Sequence, residues 1–196
     1  SLVRIEKLLL KRLAKRLLFD RGLLLAFWRM TVAIKEARHI TEERELARTD
    51  ELTGLPNRRR FLAELELLTR REGTLLILDL NGFKQVNDKY GHDVGDQLLR
   101  QISIRFQRAT SDSLLARLGG DEFGVIVYGP KQIGEEAAAA LKSTLTYPFR
   151  LQSGEVSVGV AIGIATTEGN LRSAEDLLRH ADGAMYQAKR ENLGLV

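Results

Sequence analysis

The sequence predicts an α+β protein preceded by an α-helical segment. Three observations support this prediction: apolar residues at helical spacing over residues 1–48, a short apolar run at Thr74–Leu80, and a pair of apolar runs, Leu114–Leu118 and Glu122–Tyr128. An almost fully apolar run of this length is typical of a buried central strand. The later pair is separated by residues 119–121 alone, which is typical of a β-hairpin.

Residues 1–48 are predicted to form two helices, one over residues 2–19 and one from about Leu23 to Arg48. They carry 12 Lys/Arg and 6 Asp/Glu, whereas residues 49–196 carry 18 and 20. A basic helix can bind acidic lipid or nucleic acid, but we favour a solvated helix face. The segment has more apolar residues than a lone helix leaves in water, so we expect self-association; packing against the rest of the chain is the alternative.

Residues 49–196 are predicted to form a second domain. Asn57 is expected to cap a helix that runs to about Arg71. The elements that follow have the order βααββαβ and a final helix, which predicts a ferredoxin-like sheet with antiparallel strands and helices on one face. Besides the strands above, they are helices near Phe83–Lys89, Asp93–Ala109 and Glu135–Leu145, a strand at Val156–Thr166, and a helix at Ser173–Arg190 capped by Ser173.

Composition excludes several classes of protein. The chain has no cysteine, which excludes a disulfide framework, a thiolate metal site and a thiol nucleophile, and fits a reducing compartment. The longest apolar stretch, Leu23–Met30, is interrupted by Arg29 and is too short to span a bilayer. Because the chain begins at Ser1, we expect a fragment of a longer protein. We expect a cytoplasmic location, although the full-length protein could be membrane-associated.

Three acidic residues are the main candidates for chemistry. Asp79 ends the first buried strand, and Asp121 and Glu122 lie in the tight hairpin. If the two strands are neighbours, these carboxylates cluster, which is costly unless a cation lies between them. Hard oxygen ligands favour Mg²⁺ or Mn²⁺. The sequence therefore indicates a metal–nucleotide site, and an acidic hairpin tip facing water is the alternative.

Five sequence blocks occur in a fixed order over about three quarters of the chain. They are DELTGLPNRR at 50–59, DLNGFKQVND at 79–88, GHDVGD at 91–96, RLGGDEF at 117–123 and ADGAMYQAK at 181–189. Together they resemble the GGDEF family of diguanylate cyclases, and five ordered matches leave little room for chance. The resemblance implies a palm-like, nucleotidyl-cyclase α+β fold. It also implies an enzyme that joins two GTP molecules into cyclic di-GMP and releases pyrophosphate.

The resemblance also implies roles for individual residues. Asp79 and Asp121 would bind Mg²⁺ (or Mn²⁺) with the Leu80 carbonyl, and Asp121 or Glu122 would activate the ribose 3′-hydroxyl. The residues that would contact substrate are Asn87 and Asp96 at guanine, Lys84 and Lys189 at the triphosphate, the amides of Gly82 and Phe83 beside it, and His92.

Taken singly, most of these residues also have an ordinary structural interpretation. Asn87 can be a helix or turn residue, and Asp96 a surface acid near a helix start. A turn or packing role is the favoured interpretation of His92, and a core role that of Phe83. Lys189 is as well explained by a solvated helix face as by a phosphate contact.

The family pattern implies a homodimer, because each domain holds one GTP. We expect the N-terminal helices to pair the domains under the control of a missing upstream sensor domain. Two departures are visible. Thr110 and Ser113 stand where many members carry an inhibitory Arg-x-x-Asp site, so we expect no ordinary product inhibition. Leu193 replaces an arginine that contacts phosphate, which would weaken GTP binding unless Arg190 substitutes for it.

Four functions therefore compete: an active cyclase, a non-catalytic GTP-binding regulator, a structural module whose helices dimerise a partner, and another nucleotidyltransferase. Asp96 argues against ATP, because a carboxylate accepts hydrogen bonds that guanine donates and adenine cannot. The slightly acidic charge of residues 49–196 argues against a nucleic-acid partner.

Overall fold

The computed structural model describes residues 28–32, 48–168 and 173–191. The chain divides into two compact units, residues 1–47 and 48–196. Residues 28–32 are helical, as predicted, whereas Arg48, the predicted end of that helix, lies in a turn. The rest of that helix and the helix at 2–19 lie outside the described residues. No helix in the described part of the chain combines the length and apolar character needed to cross a membrane.

The second unit alternates helices and strands. In chain order its elements are α1 (Arg58–Leu68), β1 (Gly73–Asn81), α2 (Phe83–Tyr90), α3 (His92–Ala109), β2 (Leu114–Gly119), β3 (Glu122–Tyr128), α4 (Lys131–Thr144), β4 (Phe149–Leu151), β5 (Gly154–Val156), β6 (Gly159–Thr166) and α5 (Ala174–Glu191). Four strands form one antiparallel sheet in the order β2-β3-β1-β6. The apolar strand β1 is therefore central, as its composition predicts.

Helices cover both faces of this sheet, so the prediction of helices on one face is wrong. Successive side chains of β1 point to opposite faces, and both sets are buried: Leu76 and Leu78 pack in one cluster with α2, α3 and α4, whereas Leu75 and Ile77 pack in another with α1 and α5. A strand that is apolar at nearly every position needs cover on both sides, which explains the second helical layer.

The two predicted helix caps are confirmed. Asn57 Oδ1 accepts a hydrogen bond from the Arg60 amide at 3.1 Å, and Ser173 Oγ accepts one from the Asp176 amide at 3.0 Å. α1 ends at Leu68, earlier than expected. α4 begins at Lys131 instead of Glu135, immediately after Pro130, whose ring fixes a backbone φ suited to the start of a helix.

The strand predicted at Val156–Thr166 is confirmed over Gly159–Thr166, whereas Val156 belongs to a separate short strand. β5 ends at Val156 and pairs with β4, while β6 begins at Gly159 in the main sheet. A side chain from α3 holds the β4–β5 hairpin in place. The Arg105 guanidinium donates to the carbonyls of Thr144, Tyr147 and Pro148 at 2.7–2.9 Å, and lies 3.7 Å from the ring centroid of Phe149. The local sequence gives no indication of these contacts, because Arg105 lies about forty residues before the hairpin.

Candidate active site

The predicted acidic residues meet at one end of the central strands. Asp79 on β1 is the cross-strand partner of Glu122 on β3, and the Leu80 amide donates to the Asp121 carbonyl at 3.3 Å. The turn before Glu122 uses two glycines with positive φ, +145° and +53°, a conformation that other residues adopt only with strain. The hairpin tip therefore lies against the end of β1, as the sequence predicts.

Negative charge accumulates at this point. Burial raises the pKa of Glu122, and repulsion from Asp79 raises it further, whereas Arg58 opposes the shift. Burial also raises the pKa of Asp182 on α5, and Arg58 again opposes it. The repulsion between Glu122 and Asp79 indicates a position where a cation would be stabilised.

One cation from the chain itself lies at this position. Lys189 Nζ is 2.7 Å from Asp79 Oδ1, and the Asp79 side chain is only 12% exposed. The ammonium reaches the carboxylate because α5 lies directly on the sheet. A Cβ atom on Gly163 of β6 would overlap the Ala181 carbonyl and the Met185 amide, so the missing side chain permits this close approach.

The donor set fits one kind of metal site. Within the described residues, no group of three or more His, Cys, Asp or Glu side chains could hold a metal ion. Mg²⁺ in nucleotide enzymes is typically held by one or two carboxylates together with water and substrate phosphates. Asp79, Asp121 and the Leu80 carbonyl fit such shared coordination, and they do not fit a cage built of protein ligands alone.

The residues expected to read guanine lie on neighbouring helices. Asn87 is on α2, and Asp96, which is half-buried, is in the second turn of α3. Asn87 Oδ1 is buried and accepts no hydrogen bond from any residue that the structure describes. An unpaired buried acceptor costs about 1–3 kcal/mol, and such atoms often mark a ligand or an ordered water.

The other expected substrate contacts surround the start of α2. Gly82 precedes the helix, whose first amides have no acceptor within the helix and are suited to an anion. Lys84 and His92 are exposed. Phe83 is buried in the core, which supports its interpretation as a packing residue.

A family model described as "Diguanylate cyclase, GGDEF domain" matches residues 47–193. The chain belongs to the GGDEF family. Its relatives include the cyclic di-GMP phosphodiesterase PdeR of Escherichia coli, 39% identical over 168 residues that cover 79% of this chain and 25% of PdeR. The diguanylate cyclase DgcP of Pseudomonas aeruginosa is 35% identical over 161 residues that cover 78% of this chain and 24% of DgcP.

Solved structures show the same fold. The coiled coil and GGDEF domain of DgcB from Caulobacter crescentus, in complex with c-di-GMP, matches with a TM-score of 0.75 and 26% identity. That match covers 87% of this chain and 96% of the DgcB chain. The palm-like α+β fold expected from the sequence is thus confirmed. The chain spans about a quarter of the length of the two curated relatives above.

The GGDEF turn is held by an arginine to which the sequence reasoning assigned no role. Arg117 Nη1 donates to both carboxylate oxygens of Asp50 at 3.0 Å, while its Nε and Nη2 donate to the Gly120 carbonyl at 3.0 and 2.8 Å. Partial burial raises the pKa of Asp50, but hydrogen bonds from Thr53 and Arg117 outweigh it and lower the pKa. Asp50 and Arg117 are the first residues of the sequence blocks 50–59 and 117–123. Their place in these blocks was the only indication in the sequence that they have a role.

A cavity of about 250 Å³ opens beside Glu122 in the GGDEF domain, between α1, α5 and the sheet. Its polar lining residues are Arg58, Glu122 and Asp182, and the remainder is apolar. The two other charged groups of the cavity, Arg58 and Asp182, therefore influence the pKa of Glu122, the cross-strand neighbour of Asp79.

Proposed function

We propose that this GGDEF domain is a diguanylate cyclase that condenses two GTP molecules into cyclic di-GMP. The observation that carries the proposal is the position of Asp79 opposite Glu122, at the GGDEF turn and with a cation on its carboxylate. The name of DgcP, a relative that is 35% identical, supports it. We further propose that residues 49–196 form the catalytic domain and residues 1–48 a helical dimerisation segment.

The same bonds form and break in each of the two condensation steps. The 3′-oxygen of one GTP forms a bond to the α-phosphorus of the other, the bond from that phosphorus to the oxygen bridging the β-phosphorus breaks, and pyrophosphate leaves. The hydroxyl proton passes to Asp121 or Glu122. Glu122 is suited to accept it, because burial and neighbouring carboxylates raise its pKa toward the working range of a general base.

Asp79, Asp121 and the Leu80 carbonyl are the proposed ligands of Mg²⁺, with Mn²⁺ as a substitute. When bound, the metal supplies positive charge that stabilises the phosphoryl oxygens and the leaving group. Lys189 contacts Asp79 in the described structure, and its flexible side chain is about half exposed, so it is able to turn toward the triphosphate. Lys84 and the amides at Gly82 and Phe83 are the other proposed triphosphate contacts.

Guanine binding is assigned to Asn87 and Asp96, with His92 nearby at the start of α3. The buried unpaired oxygen of Asn87 supports this assignment, because it marks a polar group without a partner in the described residues. A carboxylate at Asp96 accepts from the guanine N1–H and amino group, so the pair would select GTP over ATP.

Activity requires two GTP-loaded domains that face each other, and we propose a homodimer formed through the N-terminal helices. We also propose that ordinary product inhibition through an Arg-x-x-Asp site is absent. Thr110, which stands at the arginine position, is buried, and its hydroxyl donates to the Phe106 carbonyl at 2.9 Å. Mutation of Arg108 would test this, because loss of tight cyclic di-GMP binding in that variant would contradict the proposal.

The function is tested by incubating the full chain with GTP and Mg²⁺ and identifying products by chromatography and mass spectrometry. Cyclic di-GMP is expected from the wild type and from Asp112→Ala, which changes an exposed acid in the loop before β2. None is expected from Asp121→Ala. The absence of product from a wild type that still binds GTP would favour a GTP-binding regulator, the second candidate, which Leu193 favours in the sequence.

A further inference from the structure

Gly95, in the first turn of α3, directly faces the side chain of Asn87 on α2. A Cβ atom at position 95 would overlap Asn87 Oδ1 and lie 3.0 Å from Asn87 Cγ. Real Cβ atoms essentially never come as close to a heavy atom as this one would to Oδ1. The Asn87 carboxamide therefore occupies the volume that any side chain at position 95 would need.

The space between Gly95 and Asn87, here called the slot, is also limited on its other sides. Phe83 Cζ would lie 3.3 Å from the Cβ of residue 95, and Phe83 is itself buried. The backbone of Asn87 is fixed as well, because its carbonyl accepts the Gly91 amide at 2.8 Å. Since the Asn87 backbone is hydrogen-bonded and the Phe83 ring is buried, a methyl group at 95 would displace the carboxamide, the group that it overlaps most.

We infer that Gly95 is a positioning residue for nucleobase recognition, whose missing side chain forms the slot that holds the Asn87 carboxamide toward the guanine of GTP. The inference rests on the proposed function, since it takes Asn87 as a guanine contact. Gly95 itself touches no substrate. Its effect passes through one neighbouring side chain, which makes the effect separable from general destabilisation.

Gly95→Ala tests the inference, with Gly134→Ala as its matched control. Gly134 is also a helical glycine in close contact with a buried side chain, since a Cβ atom there would overlap Thr74 Oγ1. Thr74 is the second residue of β1, at the opposite end of the strand from Asp79. Both variants introduce the same methyl group into a tight contact, but only one contact involves a guanine-binding residue.

Calorimetric titration of each variant of this 196-residue chain with GTP and with ATP provides the readout. Gly95→Ala is expected to weaken GTP binding roughly tenfold, the effect of losing one good hydrogen bond. ATP binding is expected to stay within about twofold, because the proposed site of Asn87 and Asp96 reads guanine and not adenine. Gly134→Ala is expected to lower stability and to leave GTP affinity unchanged.

A double-mutant cycle identifies the route of the effect. In an Asn87→Ala background the slot is empty, so adding Gly95→Ala is expected to cause no further loss of GTP affinity. Losses that add, or a Gly95→Ala variant that binds GTP like the wild type, would overturn the inference. A wild type that binds GTP selectively but makes no cyclic di-GMP would refute the cyclase and leave the inference standing, whereas a wild type that binds no GTP would refute both.

Discussion

Lys189, in the last helix, places its ammonium 2.7 Å from the carboxylate of Asp79, at the end of the first strand. The two residues are 110 positions apart in the chain. The pair is the only ion pair among the described residues that involves a proposed metal ligand.

Replacing Lys189 with methionine is expected to destabilise the metal-free protein by about 1 kcal/mol, because a largely buried carboxylate loses its partner while the half-exposed lysine was partly screened by water. Mg²⁺ should restore more stability to this variant than to the wild type, since the metal takes the place of the ammonium. Thermal unfolding in EDTA and in Mg²⁺ measures both effects.

Arg190→Met is the control for that experiment, because it removes an exposed cation from the same turn of α5. It should unfold like the wild type under both conditions. A Lys189→Met variant with the wild-type midpoint in EDTA would show that the ion pair contributes nothing to stability.

Arg117→Lys is expected to lower the free energy of unfolding by about 1–2 kcal/mol and to lower the cyclase rate more than stability alone explains. A lysine cannot reproduce the fork that bridges Asp50 and the Gly120 carbonyl, so the GGDEF turn would lose its anchor. Urea denaturation measures the free energy of unfolding, and initial rates of product formation measure the cyclase rate. Arg150→Lys is the control, because Arg150 pairs with Glu155 while 90% exposed.

We expect the stabilisation that the ionised Asp50 side chain provides to be lost in acid. Its folded-state pKa is lowered, so the stabilisation it provides is fully present above its unfolded value of 3.8 and is lost as pH falls through the lower folded value. Asp50→Asn should therefore be less stable than the wild type at pH 7, and the difference should shrink below about pH 4. A constant difference between pH 7 and pH 3 would show that the ionised form of Asp50 is not what stabilises the turn.

For Glu122 we expect the opposite dependence of stability on pH. Burial and its acidic neighbours raise its folded-state pKa above 4.5, so ionisation of Glu122 opposes folding, and stability falls as pH rises through that raised value. Glu122→Gln should have a higher unfolding midpoint than the wild type at pH 7.5, with the gain disappearing near pH 4, while its cyclase rate falls. Equal or lower stability at pH 7.5 would contradict this expectation.

Gly163→Ala is expected to destabilise the domain by about 1–3 kcal/mol, since the new methyl group would meet backbone atoms of α5 that cannot turn aside. Gly183→Ala, on α5, is the control: a Cβ atom added there would have none of the described residues within 4 Å beyond its own helix, so it should stabilise the helix by about 0.5–1 kcal/mol. Chemical denaturation of both variants distinguishes close packing from helix propensity.

The sequence predicted features that depend on local pattern. Strand β1 follows from its apolar run, the caps from Asn57 and Ser173, and the meeting of Asp79 with the hairpin from two neighbouring strands. Prediction from the sequence failed for features that depend on contacts between residues far apart in the chain. Arg105 holds a hairpin that follows it by more than forty residues, and the second helical layer exists because both faces of β1 need cover. The roles proposed for individual substrate-binding residues stay predictions.

The long separation of Asp79 and Lys189 also bears on biosynthesis. Contacts between distant parts of a chain form late, because a large loop must close before they provide any stabilisation. During translation the first strand leaves the ribosome well before α5 has been made, so a nascent chain carries the acidic end of β1 without the ammonium that neutralises it. The carboxylates at this end of β1 therefore reach their final electrostatic environment only after synthesis has passed Lys189.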